Sequence, residues 1–151
     1  MTPRSAGEFI DNTLRDIVGS IPGINQEYAF VPTATHKFPF MFVESREEDL
    51  SDRDEGMDLV QSWTRAGFGV LGVGVKANAN GDLKREAERH LDIVKRAFQA
   101  QRRVERSIAI DGTKTRILDI ALSRSVPTYD DATTEGLVIL EFTITGTTST
   151  L

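Results

Sequence analysis

Apolar residues recur along this chain with two different periods, and the switches between them mark its elements. Ile10, Leu14, Ile17, Val18 and Ile21 fall at i, i+4, i+7, i+8 and i+11, which is one stripe of an amphipathic helix. Ser5 and Glu8 precede that stripe at capping-box spacing, the hydroxyl serving an orphan amide while the carboxylate reaches back. Pro22-Gly23 ends the helix. A second stripe, Leu83, Ala87, Leu91, Val94 and Phe98, follows the turn-forming run Asn78 to Asp82, whose aspartate is the expected N-cap. Elsewhere the pattern is strand-like. Tyr28 to Val31 predicts a short strand, and Phe38 to Val43 a longer one, with Pro39 at an edge or at the strand's start. Met57, Leu59 and Trp63 alternate with polar residues and run toward a glycine-rich stretch, and Leu137 to Ile144 predicts a last strand. Asp111-Gly112, between SIAI and RILDIAL, is a hairpin turn. Residues 44–58 and 125–136 read as loops, and TTSTL as a frayed tail.

The order is helix, two strands, acidic loop, long strand, long helix, hairpin, strand. Strands cluster rather than alternating strictly with helices. That pattern predicts an α/β chain of the α+β kind, a mostly antiparallel or mixed sheet with two main helices packed on one face. With 151 residues, no internal repeat and no dividing linker, residues 1–151 form one expected domain.

The stretch Gly67 to Val75, GFGVLGVGV, begins with the letters G-x-G-x-x-G of a dinucleotide fingerprint. A phosphate-cradling version of that motif must lie in the turn between a strand and a helix. Here Val70, Leu71, Val73 and Val75 are interleaved with the glycines, and the helix begins only near Leu83. Gly67, Gly69, Gly72 and Gly74 are therefore read as strand glycines, which mark a bulge, strong twist or close approach. Gly72 and Gly74 share one face, so something packs closely there, with the second helix and a neighbouring subunit as the candidates. No cofactor is expected.

Charge changes the picture more than composition does. The net charge is −5, but residues 44–58 (ESREEDLSDRDEGMD) hold eight acidic and two basic side chains, a net of −6. Residues 83–106 hold eight basic and four acidic, a net of +4. One acidic and one basic segment stand on a nearly neutral body. Glu47, Glu48, Asp49, Asp52, Asp54 and Glu55 on one side, and Arg102, Arg103 and Arg106 on the other, are the candidate subunit or partner contacts. The plain alternative is that both segments face solvent or fold onto one another.

Enzyme chemistry finds little to rest on. There is no cysteine, which excludes disulfides and thiolate metal sites. The acidic segment fails calcium-loop spacing, with Gly56 at position five and Trp63 at position twelve counting from Asp52. The spacing counted from Asn78 fails as well. His36 and His90 are the only histidines, His90 being placed at a boundary of the second helix, and no serine lies in a nucleophile elbow. No catalytic residue and no metal ligand is assigned. The basic helix lacks the aromatic interleaving that stacks bases, and Glu86, Glu88 and Asp92 break its face. Protein partners are the expectation. No apolar run has signal-peptide or membrane-spanning length, so a soluble, unexported chain is expected.

The amino-terminal helix SAGEFIDNTLRDIVGSI, the strand KFPFMFVES and the block WTRAGFGVLGVGVKANANGDLKREAERHLDIVKRAF, with the closing SIAIDGTKTRILDIAL and EGLVILEFTIT, make a pattern that covers nearly the whole chain. It resembles the tail terminator proteins of long-tailed bacteriophages, the lambda-type minor tail proteins. The resemblance implies a small α/β structural subunit of the virion, not an enzyme, that forms a homo-oligomeric, hexameric ring. Such a ring caps the tail tube, ends its polymerisation and offers a surface to the head connector or neck protein. DNA passes through the hole without specific binding, no membrane is involved, and the place of action is the virion tail at the head–tail junction, after assembly in host cytoplasm. A phage neck or head-closure protein, or a small cellular adaptor domain, is the alternative.

Overall fold

The computed structural model describes residues 2–29, 36–50, 60–75, 82–129 and 134–150, with only the backbone described for 47–50. Eight elements follow one another: α1 (Ala6–Gly19), β1 (Asn25–Glu27), β2 (Phe40–Leu50), β3 (Val60–Gly74), α2 (Asp82–Gln101), β4 (Arg106–Ile110), β5 (Thr113–Pro127) and β6 (Glu135–Thr150). The strands make a single mixed sheet in the order β1-β2-β3-β6-β5-β4. Only the β1–β2 pair is parallel, and every other pair is antiparallel. The α+β architecture expected from the strand clustering is the one observed.

Alternation of side chains sorts the sheet into two faces. Met41, Val43, Leu71, Val73, Val138, Leu140, Phe142 and Ile144 point to the side that both helices cover. From α1 they meet Ile10, Leu14, Ile17 and Val18, and from α2 they meet Leu83, Ala87, Val94 and Phe98. The rings of Phe98 and Phe142 lie 4.6 Å apart at the centre of this layer. The opposite face carries a second, smaller cluster of Phe40, Phe42 and Val70, flanked by Phe38, Phe68, Leu137 and Ile139.

Several local expectations are corrected. Ser5 caps α1 through Glu8 N–H at 3.1 Å, but the Glu8 carboxylate accepts from Arg4 N–H, one residue before the cap. The strand expected at Tyr28 to Val31 lies earlier, at Asn25–Glu27; Tyr28 and Ala29 follow it, and Val31 falls outside the described residues. Pro39 stands at the start of β2, where its missing N–H costs no ladder bond. The acidic segment is not all loop. Its first part, Glu44 to Leu50, continues β2 and pairs with β3, while 51–59 lie outside the described residues, as do Met57 and Leu59. β6 runs on through Thr150, so the threonine-rich tail is paired strand rather than frayed end. The Asp111-Gly112 turn is as expected, with φ of 49° and 80°, the left-handed pair that a two-residue hairpin requires.

The glycines of GFGVLGVGV all lie within β3 or at its end, and among the described residues the next helix after them begins only at Asp82. Neither α2 nor a neighbour accounts for the close approach at Gly72 and Gly74. A Cβ on Gly72 would collide with the ring of Phe40, and one on Gly74 would meet Phe38. Both aromatic residues come from β2 and the turn before it, so the glycines make room for the second apolar cluster. Gly67 and Gly69, on the other face, lie beneath Phe142.

Candidate assembly interface

The register places the described part of the acidic segment and the end of the basic one, Arg106, at opposite margins of the sheet. Leu50 pairs with Trp63, Trp63 with Gly146, Gly146 with Ile117, and Ile117 with Arg106. Leu50 and Arg106 thus end one continuous row, four strand spacings apart, about 19 Å at 4.8 Å per spacing. Glu47, Glu48 and Asp49 belong to the β2 margin. Asp52, Asp54 and Glu55 lie outside the described residues.

Of the three arginines, two are engaged within the chain. Arg102 leaves α2 and bonds Asp119 of β5 through Nε at 3.1 Å. Arg106 donates to the Gln101 side chain at 2.6 Å and to the Val104 carbonyl at 3.3 Å. These bonds fasten the end of α2 to the β4–β5 hairpin. Arg103 is exposed. The sequence expectation treated all three as contact residues, whereas the geometry gives Arg102 and Arg106 a fastening role.

Sequence reasoning missed the feature beside them. A groove of about 390 Å³ runs between the second half of α2 and β5, lined by Lys95, Gln99, Arg102, Ser123, Arg124 and Ser125 among others. Among the described residues three cations and no carboxylate line it. Its existence follows from strand lengths. β4 pairs with β5 only from Thr113 to Ile117, so from Leu118 to Pro127 no described strand pairs with the outer side of β5. The Arg102 carbonyl takes the Ile120 N–H at 3.0 Å and closes the first part of that edge. Register shifts between Ile117 and Asp119 and between Leu122 and Arg124 add twist to the rest. Lys95, Gln99 and Arg102 stand at i, i+4 and i+7, a spacing readable in sequence as a polar stripe beside the apolar one.

The β2 margin is built in a similar way. β1 covers only Phe40 to Phe42. Beyond it, Asp11 of α1 accepts both the N–H and the hydroxyl of Ser45, each at 2.7 Å. Arg65 reaches the same hydroxyl at 3.2 Å. Glu44 is neutralised by Arg46 at 2.9 Å, and Arg46 lies 3.9 Å over the Phe68 ring. From Arg46 to Leu50 no described strand covers the outer side of β2.

His90 departs from its expected boundary position. It takes the core-facing place in the α2 stripe, with Leu91 only half-buried, and its Nε2 lies 3.3 Å from Glu86. Burial, reinforced by the neighbouring Arg89 charge, lowers its pKa below the usual histidine value against the opposing pull of Glu86. His36 stacks on Phe40 with ring centroids 4.2 Å apart, and its Nδ1 lies 2.6 Å from Glu27. No group of three or more His, Asp or Glu residues suited to a metal ion occurs among the described residues. Among the described helices none is long and apolar enough to cross a membrane.

The fold and its margins define a small α+β chain with one continuous sheet, an acidic strand extension on one side and a basic groove on the other. No protein-family model matches the chain, and a search of curated proteins returns no significant match.

Proposed function

We propose that this chain is a structural assembly subunit that joins copies of itself head to tail in a closed ring, and that the ring caps a phage tail tube and joins it to the head. The observation that carries this reading is the placement of opposite charge at opposite margins of one sheet. A ring requires two different patches on each subunit, each fitting the other. Opposite margins about 19 Å apart lie beyond the screening length of about 8–10 Å at ordinary salt, so each is better placed to attract a neighbour's margin than the other margin of its own chain. The pattern resemblance to tail terminators supplies the tube and the neck protein as partners. A net negative charge also suits a hole through which DNA passes, because lysine and arginine contacts to phosphate are what hold DNA.

Electron microscopy and light scattering of the concentrated protein, alone and with tail tubes, test this. Closed rings of uniform size are expected at low salt. They should weaken toward 1 M salt, where the screening length falls to about 3 Å. Neutralising Glu47, Glu48, Asp52 and Asp54 together should impair assembly and leave the subunit folded. A protein that stays monomeric under all these conditions, tubes included, is not a ring subunit. A monomer that instead captures one soluble cellular protein would be an adaptor.

A further inference from the structure

We infer that the contact between neighbouring copies is a strand-edge pairing, in which the acidic extension of β2 from one copy lies along the open edge of β5 in the basic groove of the next. This deepens the ring reading and rests on it.

An uncovered strand edge presents free amide and carbonyl groups and is a template for another strand. Among the described residues each margin of this sheet leaves one such run. On β2 the run begins after Ser45, whose N–H is already taken by Asp11, and continues to Leu50. On β5 it begins after Ile120, whose N–H is taken by the Arg102 carbonyl, and continues to Pro127. The two runs face outward from opposite sides of the sheet. Within one copy they cannot meet: the Glu44 row passes through Phe68 and Glu141 to Arg124, three strand spacings away.

Charge decides which edges pair. Glu44 is matched by Arg46, and the sequence of the run beyond it, Glu47, Glu48 and Asp49, is acidic. Arg102 is likewise matched by Asp119, so Lys95 and Arg124 set the sign of the groove. Like charges directly opposite in a sheet are destabilising and unlike charges stabilising. Pairing of β2 with β2, or β5 with β5, would give a two-fold dimer and is opposed. Pairing of β2 with β5 is favoured, and it is heterologous, so repetition leads to a ring. Ser123 and Ser125 add small polar side chains where an incoming strand must approach closely.

Charge reversal on each side tests the contact. One variant carries Lys95→Glu with Arg124→Glu, the other Glu47→Lys with Glu48→Lys. Each alone should remain monomeric at ten times the concentration at which the parent assembles. An equimolar mixture should assemble, because each variant's extension then fits the other's groove. Since the chain has no cysteine, a Ser123→Cys copy mixed with a Glu48→Cys copy should cross-link between copies in an otherwise native background. If the parent forms rings but both reversed variants also do so unaided, or the mixture stays monomeric and the cysteine pair does not cross-link, the contact lies elsewhere and the ring reading survives. If the parent itself never assembles, both readings fall together.

Discussion

The ring of Phe40 fills the space in which a Cβ on Gly72 would stand. Gly72 and Phe40 are directly paired across β2 and β3, and Phe40 is fully buried. The aromatic side chain therefore lies flat over its own partner residue. Gly72→Ala would force either the ring or the two strands to move. Overpacking of a filled site costs about 1–3 kcal/mol. Chemical denaturation should show a loss in that range, with a smaller loss for Gly69→Ala, where the nearest atoms are 3.1 Å and beyond. Equal stability of Gly72→Ala and the parent would contradict this packing.

The helix α2 offers a graded test of which residues face the sheet. Phe98 is buried against Phe142 and Val94 is buried beside it, whereas Leu91 is only half-buried. Phe98→Ala should cost about 3–5 kcal/mol. Leu91→Ala should cost distinctly less than Phe98→Ala. Arg89→Ala should stay within about 1 kcal/mol, since its partner Glu86 is 3.8 Å away at an open surface. Thermal or denaturant unfolding of the three variants checks the order. A larger loss for Leu91 than for Phe98 would mean that the helix is rotated.

Helix phase shows how far sequence pattern reaches. Both stripes were readable because apolar residues repeat at 3.6, yet Leu91 and His90 exchanged places. Pattern reading favours leucine for the interior, while the actual phase at the middle of α2 buries the imidazole. Strand ends were harder. Nothing in the acidic letters of 44–50 signals a strand, because their pairing is supplied by β3 across the ladder rather than by their own propensity. The groove was invisible for a related reason. It arises from β4 being shorter than β5, a difference of partners that no local pattern carries. The Asp111-Gly112 turn was fully legible, since a left-handed pair of residues admits few side chains.

Acid should weaken the fold through His90. Its pKa is lowered in the folded chain by burial first and by Arg89 second. Below the usual histidine value of about 6.5, the unfolded chain binds a proton that the folded chain resists. The stability is therefore complete above about pH 6.5 and is lost as pH falls through the lower folded value. Unfolding of the parent should become easier between neutral pH and pH 5, beyond the general effect of the carboxylates. His90→Gln should flatten that part of the profile. A variant profile that matches the parent would remove His90 as the cause.

Dinucleotides should leave the thermal transition where it is. The glycines of β3 are occupied by aromatic side chains on one face and Phe142 on the other. A ligand at about 100 times its dissociation constant would add roughly 2.7 kcal/mol. A saturable upward shift of several degrees with a nicotinamide or flavin nucleotide would overturn the strand-glycine reading.

β3 and β6 pair over every residue of β3, from Val60 with Ser149 to Gly74 with Glu135, without a register shift. The bonds of an antiparallel ladder run across the strands. A pull along β3 against β6 therefore loads all rows of that ladder together in shear, and none can open before its neighbours. A pull across the sheet would peel it row by row at far lower force. The long central pair makes this small domain stiff in one direction, along its strands.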